Sequence, residues 1–299
     1  MRILICFDGS TWARKSARFA LRLFKNTPKH LTLLTFKRQP EHEQPGTERL
    51  PAQDKADNVG AEREPMTIER ELSSLAKSED VADASFIEGA GDLVGHLLSI
   101  APQYDLVCLG GAGKGGFSQY TLGHIVDGVV LKGQGNLLVT KRSDSKCQNV
   151  MIAITRERAE DEHLIDYLGK LFQGSPCALT IHVLWEELPH RFEGYLQGAT
   201  AEKMKQMVGQ NLFQKNRAEL QNLTDHLASY GLDAQASYHN MPSMEKMVEE
   251  VDPEAYDLVV IYPPSRSDGM LKRLEPKKES LNLMRKSTCN VMLLRSLGE

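Results

Sequence analysis

The sequence predicts an α/β protein made of two tandem five-stranded parallel-sheet domains with helices on both faces. Three observations predict it. Short apolar runs alternate along the chain with segments whose apolar residues recur at helical spacing, the pattern of parallel strands joined by crossover helices. The second half repeats the first: Tyr104-Asp105-Leu106-Val107 returns as Tyr256-Asp257-Leu258-Val259, offset by 152, and Asn136-Leu137-Leu138-Val139 returns as Asn290-Val291-Met292-Leu293, offset by 154. A length of 299 residues suits two domains of about 150. Their expected extents are 1–143 and 149–299, joined by a linker from Ser143 to Gln148.

In order, Ile3 to Phe7 is the first strand, and it stops at Asp8-Gly9-Ser10-Thr11. A helix follows to about residue 25, with Ala13, Ala17, Phe19, Ala20 and Leu23 at helical spacing and Ser10 or Thr11 able to cap it. Leu31 to Phe36 is a second strand. From Lys37 to Met66 the chain carries Pro40, Pro45, Pro51 and Pro65, many charges and few large apolar side chains, which predicts a mobile excursion. Helix Thr67 to Ser78, strand Ala82 to Glu88, helix Asp92 to Ala101 and strand Tyr104 to Gly110 come next. A helix from Gly123 to Gly133 and a strand from Asn136 to Lys141 close the first unit. Val150 to Ile154 answers Ile3 to Phe7, offset by 147, and opens the copy.

Composition narrows the function classes. The net charge is −4 with both signs mixed along the chain, which argues against nucleic acid as the main partner. The five cysteines are odd in number and lack metal-ligand spacing, so they read as reduced thiols. No apolar run approaches the ~18 residues of a membrane span, and no basic-apolar leader opens the chain. The expectation is a cytoplasmic protein without a membrane span.

The stretch from Val107 to Ile125 carries the chemistry. After an apolar strand come Gly110, Gly111, Gly113, Gly115 and Gly116 with Lys114 and no carboxylate, and Gly123 opens the next helix. Glycines let the backbone approach a ligand closely, so that successive N–H groups converge on an anion at a helix N-terminus. Three patterns compete for it. A P-loop needs Lys followed by Ser or Thr, and Gly115 follows Lys114, with Cys108 where the first glycine belongs. Gly111, Gly113 and Gly116 spell a dinucleotide fingerprint, but that motif belongs to the first strand of its fold, with an acid about 20 residues on, where Asn136 stands. The third pattern is glycine, two residues, glycine, nine residues, glycine, then Ser or Thr. Gly110, Gly113 and Gly123 fit its spacing.

In these residues the chain resembles the nucleotide-binding branch of the universal stress protein family, a Rossmann-related fold, and the resemblance covers essentially the whole chain. It implies adenine near Asp8 and Phe36, the backbone of Leu109 and Gly110 beside ribose and base, and phosphates over Gly113, Gly123, His124 and Ile125, with Lys114 as an added cation. The implied cofactor is ATP or another adenine nucleotide, accompanied by Mg²⁺. Two departures from the pattern stand out: His124 occupies the Ser or Thr position, and Ala112 the family's basic loop position. In the family two such units pair through their last strands, which implies an intramolecular pseudo-dimer in a tandem chain, and further association as a homodimer.

The copy lacks this chemistry. Thr155 stands at the place of Asp8, and Tyr262-Pro263-Pro264-Ser265-Arg266-Ser267-Asp268-Gly269 replaces the glycine stretch, with two prolines that cannot donate N–H bonds. A degenerate second domain is expected. His182, Glu186, Glu187 and His190 cluster loosely, but polar surface residues are favoured over a metal site. No nucleophile elbow or paired carboxylates surround Asp8, Ser10 and His124, so catalysis is expected to reach no further than slow ATP hydrolysis, with Asp127 the nearby candidate. The expected role is a stress-response sensor or regulator acting through an unidentified protein partner. A nucleotide-free interaction scaffold and a slow ATPase remain as alternatives.

Overall fold

The computed structural model describes residues 1–7, 11–24, 30–36, 70, 73–74, 77, 84–89, 92–110, 126–133, 135–141, 147–184, 217–239, 244–250, 255–262, 276–287 and 289–295. The chain divides into two compact units, Met1–Ser145 and Lys146–Glu299.

In the first unit the strands are β1 (Arg2–Phe7), β2 (His30–Phe36), β3 (Ala84–Gly89), β4 (Leu106–Gly110) and β5 (Leu137–Thr140). They lie in the order β3-β2-β1-β4-β5, each pair parallel. Strands β4 and β5 are buried at every position, as a sheet covered on both faces requires. The helix Thr11–Leu23 packs on β1, β4 and β5. Its residues Ala13, Ser16, Ala17, Ala20 and Leu21 are buried at spacings of three and four, the period of one helix face, and Phe19 and Leu23 are buried as well. Thr11 is already helical, and Ser10 lies outside the described residues. The helix Leu93–Ile100 is capped by Asp92, whose carboxylate accepts from the N–H of Val94 at 3.1 Å and of Gly95 at 3.0 Å. Residues 126–132 are helical and bury Val126, Val129 and Val130.

The second unit repeats the order. Its strands are β6 (Asn149–Thr155), β7 (Ala178–Leu184), β8 (Ala234–His239), β9 (Leu258–Ile261) and β10 (Asn290–Leu293), arranged β8-β7-β6-β9-β10 and again parallel. Strand β1 meets β4 with Ile3 level with Leu106, and β6 meets β9 with Val150 level with Leu258, so the repeat read in the sequence is also a repeat of register.

The paired Asp and Asn of the repeat act at the amino edge of each unit. Asp105 accepts the N–H of Arg2 on its carboxylate at 2.6 Å, and its carbonyl accepts from Asn136 Nδ2 at 3.0 Å. Asp257 accepts the N–H of Gln148 at 2.6 Å and of Asn149 at 3.0 Å, and its carbonyl accepts from Asn290 Nδ2 at 2.9 Å. The fourth strand of each unit is thereby tied at its entrance to the first and the fifth. Strand starts carry backbone donors with no ladder partner, and these side chains satisfy them.

Candidate functional site

The candidate site is the carboxyl edge of the first unit at the junction of β1 and β4. There the strand order reverses: the chain runs outward through β2 and β3 on one side and through β5 on the other. Helices on either side of such a reversal leave a crevice beyond the strand ends, where open parallel sheets bind ligands.

Two of the residues expected there are fully described. Leu109 is buried in β4 level with Val139, and Gly110 ends β4 level with Thr140, whose hydroxyl donates to the Leu109 carbonyl at 3.4 Å. Phe36 ends β2 level with Gly89 of β3, so its backbone lies at the same edge. Asp8, Gly113, Lys114, Gly123, His124 and Ile125 lie outside the described residues, as does the Lys37–Met66 excursion. Strand β1 ends at Phe7, immediately before Asp8 in the sequence, and β4 ends at Gly110, immediately before the rest of the glycine stretch. Asp127 is half-buried in the helical segment that follows.

The same edge of the second unit is built differently. Thr155, in the place of Asp8, is still within β6, and its hydroxyl is buried. Just beyond it, Arg156 Nη2 donates to both carboxylate oxygens of Glu219, at 3.1 and 3.2 Å, and Tyr238 at the end of β8 donates its hydroxyl to Glu219 at 2.7 Å. Burial and the Glu219 carboxylate push the Tyr238 hydroxyl well above the ordinary phenol value, so it stays a donor. Arg158 lies 4.6 Å over the ring of Tyr262 and binds Asp161 at 3.1 Å. Ion pairs brace this edge where the first unit has glycines and one acid.

His182 corrects the sequence reading. It is no surface residue: it is 8% exposed in the interior of β7, with Nδ1 2.7 Å from His239 Nε2 and Nε2 3.3 Å from the Tyr256 hydroxyl. His239 Nε2 also meets the Ser237 hydroxyl at 2.9 Å. Burial, with His239 alongside, pushes His182 down to about 4. The alternation of Leu179, Ile181 and Val183 could have placed His182 on the other face of β7, but its partners lie on segments too far along the chain to be anticipated. Glu186, Glu187 and His190 lie outside the described residues. Among the described residues no group of three or more His, Cys, Asp and Glu is placed to hold a metal ion, and no helix is long and apolar enough to cross a membrane.

Fold and edge together define a doubly wound parallel α/β protein whose first unit reverses its strand order between β1 and β4. Residues 1–141 match the model of the universal stress protein family. Whole-chain likenesses show the fold of both halves. A universal stress protein from Archaeoglobus fulgidus aligns over 98% of this chain and 96% of its own, at 14% identity and a TM-score of 0.53. A protein of unknown function from Pseudomonas aeruginosa aligns over 98% of this chain and 92% of its own, at 11% identity and a TM-score of 0.57. No curated protein matches the sequence.

Proposed function

We propose that the first unit binds ATP or a related adenine nucleotide at the β1/β4 crevice, and that the protein is a stress-response sensor or regulator that relays occupancy to a protein partner. The observation that carries this reading is the strand reversal. The strands on either side of it feed directly into the two segments with nucleotide chemistry, Asp8 after Phe7 and the glycine stretch after Gly110. Asp8 would recognise the adenine with Phe36 nearby, and the backbone of Leu109 and Gly110 would border ribose and base. The N–H groups of Gly113, Gly123, His124 and Ile125, with Lys114, would meet the phosphates. Backbone donors at the start of a helix satisfy phosphate oxygens without a dedicated cation, and residues 126–132 supply the helix.

In the same reading the second unit is a degenerate partner. The adenine contact assigned to Asp8 has no counterpart at Thr155, and Arg156 is committed to Glu219. Occupancy of the first unit would order the glycine stretch and change the surface offered to the partner.

Thermal unfolding with millimolar ATP and Mg²⁺ tests the reading. A micromolar site at a thousandfold excess adds about 4 kcal/mol, which raises the midpoint of a domain this size by roughly 10 °C. The shift is expected in the first unit alone and is expected to vanish in Asp8→Ala combined with Gly113→Val. No shift in protein freed of carried-over ligand would overturn nucleotide binding and leave the interaction scaffold. Phosphate release abolished by His124→Ala or Asp127→Ala, with binding kept, would make the protein a slow ATPase.

A further inference from the structure

We propose that Cys147 and Cys177 form a reversible dithiol–disulfide pair, oxidised by hydrogen peroxide, at the amino edge of the second unit's sheet. The proposal is independent of the nucleotide reading. Cys147 lies two residues before β6 and Cys177 one residue before β7, and these strands pair with Asn149 level with Ala178. The Ala178 N–H donates to the Gln148 carbonyl at 2.7 Å, which sets Cys177 beside the residue that follows Cys147. Both cysteines are 3% exposed, and each thiol shifts the proton affinity of the other.

The backbone gives a second observation. Cys147 has φ of 50°, the single non-glycine residue with positive φ among the described residues. A β-carbon in the left-handed region costs roughly 1–2 kcal/mol, and glycine or asparagine would lower that cost. Asp257 holds the turn in place by accepting the N–H groups of Gln148 and Asn149. A strained position filled by cysteine indicates that the thiol itself has a task.

The surroundings suit the chemistry. Gln148, Gln173, Gly174 and Pro176 are exposed around the pair, so it lies just beneath a surface turn within reach of a small oxidant. The Cys147 thiol lowers the pKa of Cys177 by hydrogen bonding, and the Ser175 hydroxyl, 3.2 Å from the Cys177 sulfur, adds to it; the same contact and burial raise Cys147. Cys177 is therefore the attacking sulfur.

In the first step the Cys177 sulfur attacks one peroxide oxygen. An S–O bond forms, the O–O bond breaks, and the departing oxygen leaves as water with the proton lost by Cys177. In the second step the Cys147 sulfur attacks the Cys177 sulfenic sulfur. The S–S bond forms, the S–O bond breaks, and the hydroxyl leaves as water with the proton from Cys147. The two thiols supply the two electrons that reduce the peroxide, and an external dithiol returns them.

The test treats the full native chain with a few equivalents of hydrogen peroxide, stops with catalase, and alkylates with N-ethylmaleimide in denaturant. Intact mass is expected to show reactive thiols falling from five to three. Lys146, Arg156 and Lys170 put the two cysteines on separate tryptic peptides, which unreduced digests should recover linked. Dithiothreitol should restore all thiols, and Cys147→Ser should leave Cys177 as sulfenic or sulfinic acid without loss of a second thiol. Five thiols retained, a linkage joining other cysteines, or wild-type Cys177 passing only to sulfinic acid would each overturn the proposal. The wild-type measurement decides the matter even if the variant does not fold.

Discussion

At the scale of single residues, Asp105 and Asp257 hold equivalent places in the two repeats. The Asp105 carboxylate accepts the Arg2 N–H, and that of Asp257 accepts the N–H groups of Gln148 and Asn149. Each hydrogen bond contributes about 1 kcal/mol net, and each kilocalorie moves the midpoint of a domain this size by roughly 2–4 °C. Asp257→Ala, which removes two such bonds, is therefore expected to lower the melting of the second unit by roughly 4–8 °C; an unchanged midpoint in thermal scans would sink this assignment. The Tyr-Asp-Leu-Val repeat was legible in the sequence as a strand landmark. The aspartate's partner was not, because the acceptor and the Arg2 amide are 103 residues apart, and neither composition nor periodicity encodes that closure. The same holds for Arg156 and Glu219, separated by 63 residues.

At the scale of elements, the helix Glu162–Phe172 shows how tightly the second unit is packed. A β-carbon added at Gly169 would lie 2.4 Å from the ring of Tyr230, which cannot simply swing aside because its hydroxyl donates to Asp166 at 2.9 Å on the same helix. Overpacking of this kind costs about 1–3 kcal/mol, against a gain of about 1 kcal/mol in helix propensity. Gly169→Ala is accordingly expected to destabilise the second unit in a urea titration, with Tyr230→Ala in the same chain relieving the clash; a stabilised single variant would contradict this packing. Strand β7 carries a pH dependence. Unfolded chain takes up a proton at His182 near pH 6.5, whereas the folded chain refuses it until about pH 4. The stability held by neutral His182 is complete above pH 6.5 and is lost between 6.5 and 4, by at most about 3 kcal/mol. The groups facing it are His239, itself pushed down by burial, and the Tyr256 hydroxyl. His182→Gln should flatten the stability profile over that window, and an unchanged slope would place the titration elsewhere. Strands were the most legible elements: Leu31 to Phe36 and Asn136 to Lys141 were read within one residue of β2 and β5 at each end. Three strands of the copy, β6, β9 and β10, followed from the offset.

At the scale of the whole molecule, each unit has its own five parallel strands and its own buried core, and fragments 1–145 and 146–299 are each expected to unfold cooperatively. Circular dichroism of the two fragments checks this, and a fragment without a sigmoidal melt would show that it depends on the other half. The resemblance to the family was legible from three glycines at the right spacing, because such a pattern is written in one short stretch of chain. The bracing of the second unit's edge was not, because it joins the ends of separate strands and a distant helix.

The two edges of each sheet are separated by the length of a strand, and they carry different obligations. The ties made by Asp105, Asn136, Asp257 and Asn290 gather at the entrance to the strands, whereas ligand chemistry belongs to the exit. A duplicated unit can therefore rewrite its exit without disturbing its foundations. Thr155, Arg156 and the prolines after Tyr262 amount to such a rewriting on an intact base, and they make the second unit's exit a natural place to graft a new specificity while the entrance keeps the fold.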